Sequence, residues 1–178
     1  MSFLCRSAEV ANQRGLSLRA RWTRSLSNGS ESLPTARLAW SASPTQLLWE
    51  GLSRAVRAPS RLDREILFPP PSGVLILGGP NFVSEVAEVL ELGYRAQLGS
   101  DAALSATVFH YDWVKLRSGQ APPAFVENMI EGSIYGIEPW ATRQVSDRWR
   151  LSGGLTVLQH DLSLKPGSTD TVGPSALG

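Results

Sequence analysis

The sequence has one cysteine, Cys5, so it makes no internal disulfide and no thiolate metal cluster. Its two histidines, His110 and His160, have no His or Cys neighbour at ligand spacing, and a metal site is not expected. Neither charge sign is in excess. The 17 Lys and Arg against 16 Asp and Glu leave +1, which gives no electrostatic reason to expect nucleic acid as a partner. No Gly-x-Ser-x-Gly elbow accompanies the Ser, His and Asp residues, and Gly78-Gly79-Pro80 lacks the spacing that cradles phosphate. Neither an enzyme nor a bound cofactor is expected. Asn28-Gly29-Ser30 matches a glycosylation sequon, yet a hairpin turn explains the same residues. The stretch from Ile66 to Ser84 is free of charge until Glu85, but Pro69, Pro70, Pro71 and Pro80 prevent a spanning helix. The apolar run Phe3-Leu4-Cys5 is too short for a secretory signal, so no export address is expected in the chain as it stands.

What is present is alternation. The 178 residues are 42% hydrophobic, enough for one ordinary domain, and much of that content recurs every second residue. Leu16, Leu18, Ala20 and Trp22 interleave with Arg19, Arg21 and Thr23, and Ala36, Leu38 and Trp40 with Arg37 and Ser41. Leu90, Leu92, Tyr94, Ala96 and Leu98 alternate with Glu91, Gly93, Arg95 and Gln97. Leu104, Ala106 and Val108 continue the pattern, as do Leu151, Leu155 and Val157, with Leu47 and Trp49 in a further short segment. The span from Asn128 to Thr142 is the weakest strand because Pro139 lies inside it. About seven strands of roughly ten residues are expected, longer than the usual five or six of soluble sheets.

The connections add an ordering. Ser43-Pro44-Thr45, Gly99-Ser100-Asp101 and Gln144-Val145-Ser146-Asp147 are tight, whereas the links after Val56, Leu116 and His160 are long and rich in Pro and Gly. Short turns at one end and long loops at the other describe an outer-membrane barrel better than a sandwich. Trp40, Trp49, Trp140 and Trp149 fall near the short turns, and Trp22 and Trp113 toward the long loops, where aromatic girdles are expected. Arg19, Arg21, Arg37, Arg95 and Arg150, with Glu50 and Glu91, are placed on the polar, inward faces, because an Arg facing mid-bilayer costs roughly 2–4 kcal/mol.

Three stretches carry a family likeness: Leu52-Ser53-Arg54-Ala55-Val56-Arg57-Ala58-Pro59-Ser60, a small-residue strand ending in Arg-x-Pro; Gly79-Pro80-Asn81-Phe82-Val83-Ser84-Glu85 with Glu91-Leu92-Gly93-Tyr94-Arg95; and Ala106 to Asp112 with Tyr135-Gly136-Ile137-Glu138 leading to Trp149-Arg150-Leu151. Their order and spacing resemble the TonB-dependent outer-membrane receptors, importers of ferric siderophores and cobalamin. The resemblance implies an all-β fold, an antiparallel up-and-down meander that is an open segment of a 22-stranded transmembrane β-barrel. It marks Arg54, Arg57, Pro59, Glu85, Glu91, Gly93, Arg95, Gly136 and Glu138 as lumen-facing or motif residues with structural roles. It implies outer-membrane lipid as surroundings, a ferric siderophore or vitamin as ligand of the complete protein, and TonB as a partner through a plug domain that this sequence does not contain. Residues 1–15 are expected to be a disordered segment, 16–160 the partial barrel, and 161–178 an outer loop or disordered tail. A fragment of this kind is not expected to transport by itself. Two other readings stay open: a small stand-alone membrane barrel, disfavoured by the odd strand count, and a soluble β-rich binding module whose leucine faces meet a second sheet.

Overall fold

The computed structural model describes residues 5–8, 16–25, 29–68, 76–120, 124–171 and 173, with side chains from Glu31 onward apart from Phe68, Ile76 and Ala124. The parts of the expected N-terminal segment, of the Asn28 turn, of the proline-rich loop and of the tail that lie elsewhere are outside the described residues. Eleven strands follow in chain order: β1 (Cys5–Ala8), β2 (Leu16–Ser25), β3 (Gly29–Ser43), β4 (Gln46–Arg57), β5 (Leu67–Phe68), β6 (Ile76–Leu77), β7 (Glu85–Leu98), β8 (Ala102–Gly119), β9 (Ala124–Ser146), β10 (Trp149–Gly154) and β11 (Val157–Leu164). One short helix, α1 (Arg61–Glu65), sits between β4 and β5. Strands β1-β2-β3-β4-β7-β8-β9 form an antiparallel meander, and β10 and β11 lie end to end along β9. Counting those two as one, the seven long strands are those of the alternation. The sheet is open, with no pairing between β1 and β11 among the described residues.

Two boundaries differ from expectation. Cys5–Ala8 pairs with Ala20 and its neighbours inside the segment expected to be disordered, and the last strand runs past His160 to Leu164. The long loop expected after Leu116 is largely strand. The β8–β9 hairpin projects to Gly119 and Ala124, and a register slip between Trp113 and Leu116, with Lys115 at φ 66°, bends its outer part.

Register sorts the side chains into two faces. On one face Leu38, Glu50, Leu92, Val108, Ile137 and Val157 stand side by side across the sheet. The next row inward holds Trp40, Leu48, Tyr94, Ala106 and Pro139, and the next outward holds Leu52, Leu90, His110 and Tyr135. Charged rows bound this field, Arg54, Glu88 and Asp112 on the outer side and Arg143 on the inner. From Leu98, level with the Arg143 row, back to Glu88 the strand extends about 34 Å at roughly 3.4 Å per residue. Tilted by about 40° it crosses about 26 Å, matching the roughly 25 Å apolar band of outer-membrane barrels.

Among the described residues no second layer covers this face. Leu38, Leu52, Leu92, Val108 and Leu155 are all exposed, whereas the buried apolar residues among those described are Phe82, Val86, Ala87, Ala96, Phe109, Val126 and Ile130. Most of these gather at the outer end, beneath α1 and the loop that follows it. A sandwich needs its large apolar residues between two sheets; among the described residues they stand exposed on one side of a single sheet, as in a barrel wall.

Pro139 is accommodated by position. In an antiparallel pair the N–H and C=O of one residue address the same neighbour, and the Leu155 N–H donates to the Pro139 carbonyl at 3.1 Å. The missing proline donor therefore faces β10 and β11. The ladder there is interrupted between Gly154 and Val157 and resumes in the same register, while the pairing with β8 continues through Ala106 and Pro139.

Candidate functional site

The opposite face is polar, and at its outer end the chain folds a lock over it. Ser60 caps α1: its N–H and Oγ donate to Asp63 Oδ2 at 2.8 and 2.9 Å, and its Oγ accepts the Asp63 N–H at 3.1 Å. Asp63, 2% exposed, is then reached by two guanidinium groups, Arg57 Nη1 at 3.2 Å on Oδ2 and Arg117 Nη1 at 3.4 Å on Oδ1. Glu85, at the start of β7 and buried, accepts from Arg57 Nε and, at 2.6 Å, from the Arg117 N–H. Burial alone would push the Asp63 carboxyl up, but the Ser60 N–H and hydroxyl, with the Arg57 and Arg117 charges, hold it below its ordinary value.

This arrangement ties three strands and one helix to one point. Arg57 ends β4, Glu85 begins β7 directly opposite it, Arg117 lies on the projecting part of β8, and Asp63 anchors α1. Arg57 also passes over the buried Phe82 ring at 5.8 Å. The segment after β6 is pinned from both sides: Gly79 donates to the Asp63 carbonyl at 2.9 Å, Arg64 Nε to the Phe82 carbonyl at 2.9 Å, and Asn128 Oδ1 accepts the Val83 N–H at 2.8 Å. A Cβ on Gly79 would overlap the Val126 carbonyl and one on Gly78 the Arg64 backbone, so the pair crosses closely between β9 and α1.

A second lock holds the other side of the β8–β9 tip. Buried Asp170 accepts the Gly119 N–H at 2.8 Å, and Gln120 Oε1 accepts the Thr169 N–H and hydroxyl at 2.6 and 3.0 Å. Sequence reasoning left these residues in an outer loop or tail. Their partners stand about fifty positions away, and no local signal marks that distance.

Below the locks the polar face presents Glu91, Gly93 and Arg95 of β7. Glu91 lies 3.9 Å from Arg37 Nη2 and accepts from Tyr111 Oη at 3.4 Å. Gly93 makes room for the Trp49 indole, which a Cβ there would overlap, and Gly154 does the same for Trp140. These two tryptophans thus lie on the polar face, each against a glycine, and only Trp40 of the three near Glu50 and Tyr94 stands among the leucines. Gly136 sits opposite Phe109, whose ring a Cβ would meet, and Glu138 opposite Thr107, with Thr156 Oγ1 at 3.5 Å. Arg150 shares this face and donates to Thr142 Oγ1 at 3.0 Å. Arg19 and Arg21 stand opposite Thr35 and Leu33 in the register. Pro59 lies between the end of β4 and the helix cap.

Glu50, placed inward by the sequence, lies on the leucine face instead, between Leu38 and Leu92, and the motif residue Arg54 shares that face, opposite Glu88. The run Leu47-Leu48-Trp49 has no alternation of its own, so the pairing with β3 and β7 fixes the parity of β4. Arg54 sits at the outer margin of the apolar band, where its guanidinium pairs with Glu31 at 3.5 Å and donates to the Ser32 carbonyl at 2.5 Å. His110 also faces the leucine side, its Nδ1 3.5 Å from Asp112. Among the described residues no three His, Cys, Asp or Glu side chains converge as metal ligands.

No family model matches the chain, and no curated protein matches it in sequence. Solved structures do match in fold. The siderophore receptor PirA from Pseudomonas aeruginosa superposes with a TM-score of 0.70 over 82% of this chain and 31% of its own, at 16% identity. The ferric enterobactin receptor PfeA from the same organism, in a mutant complexed with enterobactin, gives 0.69 over 85% of this chain and 25% of its own, at 17% identity. The copper transporter OprC gives 0.58 over 84% of this chain and 26% of its own, at 19% identity. The chain thus has the fold of one segment of these proteins and spans about a quarter to a third of their length.

Proposed function

We propose that the chain is a wall segment of a TonB-dependent outer-membrane receptor, whose complete form binds a siderophore-type metal chelate or a vitamin from outside and imports it. The carrying observation is the two-faced open sheet: an uncovered leucine face whose apolar height matches a bilayer, backed by a polar face with Arg37, Arg95 and Arg150. In a closed cylinder the first face meets lipid and the second lines the lumen. Arginines there are suited to guiding an anionic chelate, and hydrated lumen polarity with contacts to a plug is their commoner use. The Arg57–Asp63–Glu85–Arg117 lock fixes the base of the outer loop, so that the loop's exposed parts can vary for recognition while the strands beneath stay in register. TonB reaches the complete protein through its plug. No catalytic step is part of this reading.

The face assignment is tested by single-cysteine dye labelling of a complete receptor that carries this segment, held in vesicles, with Cys5 replaced by Ser. A dye at position 52, 92 or 108 is expected to be quenched by lipid-borne nitroxide, and one at 91 or 107 by aqueous iodide. Equal access of iodide to both sets refutes the barrel wall. For the import reading, a complete receptor carrying this segment is expected to bind a ferric siderophore, and loss of Arg37 and Arg95 together to weaken that binding more than loss of Arg54.

A further inference from the structure

On the leucine face one residue breaks its row. Glu50 stands among Leu38, Leu92, Val108, Ile137 and Val157. By register Leu92 lies four residues from the outer charged row at Glu88 and six from Leu98 at the inner margin, so Glu50 is well inside the apolar band. It is half-buried in a concavity of about 480 Å³ walled by Leu38, Trp40, Leu48, Leu92 and Val108 around Ala106. No hydrogen bond or ion pair reaches its carboxylate among the described residues. By register Arg6, opposite Ala20, and Arg24, opposite Ser30, share this face at or beyond its outer margin, and Arg54 and Arg143 lie at the two margins of the band, taken up by Glu31 and Asp101.

An ionisable group in lipid is unfavourable alone, and such groups pair with one another across membrane-embedded contacts. Resting on the lipid-facing reading of this side, we propose that Glu50 is the centre of an intramembrane docking site that takes a membrane-spanning partner segment bearing one Lys or Arg. The concavity receives the partner's side-chain stem and the carboxylate receives its cationic head, so each charge offsets the other's desolvation. Among its described residues a second copy of this chain places no cation at that depth on this face. The partner is therefore a different membrane protein.

The test uses a closed receptor barrel that carries this chain as its wall segment, labelled with a donor dye at Cys5, in phosphatidylcholine vesicles with acceptor-labelled Leu/Ala transmembrane peptides that carry a single central Lys or a single central Gln. Energy transfer is expected with the Lys peptide, and association about tenfold weaker with the Gln peptide or with Glu50→Gln and Glu50→Leu chains. Equal transfer in all combinations overturns the site, as does self-association of the barrel that Glu50→Gln abolishes. A barrel that stays in the aqueous phase on flotation overturns the lipid-facing reading itself, an outcome separate from a barrel that inserts and fails to discriminate the peptides.

Discussion

Single residues on the polar face do unequal work. Gly93 and Trp49 are a cross-strand pair in which the glycine's missing side chain is the seat of the indole. Gly93→Ala is expected to lift the ring off the sheet and to lower the stability of the inserted chain by about 1 kcal/mol, the scale of one aromatic cross-strand pair. Added to Trp49→Ala it should cost little more, so a double-mutant cycle read by denaturant unfolding in detergent shows strong coupling; additive losses refute the pairing. Asp63 makes a pH prediction. Its folded carboxyl titrates lower than the unfolded one, so its contribution is fully present above the unfolded value, near 3.9, and is lost as pH falls through the folded value. Protease cleavage within residues 58–68 should therefore rise on acidification below about pH 4. Asp63→Asn should cleave readily at neutral pH and show little further change on acidification. The loss in that variant is about 2–3 kcal/mol, less than for a fully buried pair because Arg57 stays half-exposed.

Elements show where local pattern ends and pairing begins. Strand β7 is legible from Leu90 to Leu98, which alternate without a break to the turn at Gly99, but not in its first residues, where Val86 and Ala87 are adjacent and apolar. The parity of β4 was not, since Leu47-Leu48-Trp49 reads equally well in either phase; twelve register pairs with β7, from Gln46–Ala96 to Arg57–Glu85, decide it. Arg57 and Glu85 stood in two separate motif stretches with nothing to pair them, and Asp63 and Arg117 carried no signal at all, because their meeting needs α1 to fold back on a hairpin about fifty residues further along the chain. Strand β9 was underrated for its proline, whose lack of a donor is tolerable where the neighbour is already a broken strand. Replacing Pro139 by Val supplies an N–H toward the Leu155 carbonyl and a β-branched side chain on the leucine face. Strands β10 and β11 should then join into one ladder, with slower amide exchange at Leu155 and Thr156 and a gain of about 1 kcal/mol. Unchanged exchange at those amides means that something other than the proline opens the gap.

At the scale of the whole molecule the sheet has no inside of its own. Leu38, Leu52, Leu92, Leu151 and Leu155 are between 47% and 62% exposed, and both outer strands carry unpaired backbone edges among the described residues. In water an uncovered apolar face and two open edges favour association over a dispersed monomer. In a bilayer the face is satisfied but the edges are not, because lipid offers their N–H and C=O groups no partner. The chain alone is therefore expected to aggregate from denaturant into buffer and to disperse in detergent. It should bind a ferric siderophore weakly or not at all in either state, since the polar face surrounds a ligand only when the remaining strands close the wall. Adding the strands that complete the cylinder should convert the aggregating chain into a protease-resistant, heat-modifiable species. A monodisperse, cooperatively unfolding monomer in plain buffer would contradict the barrel wall, because it would require the leucine face to be covered by this chain's own residues.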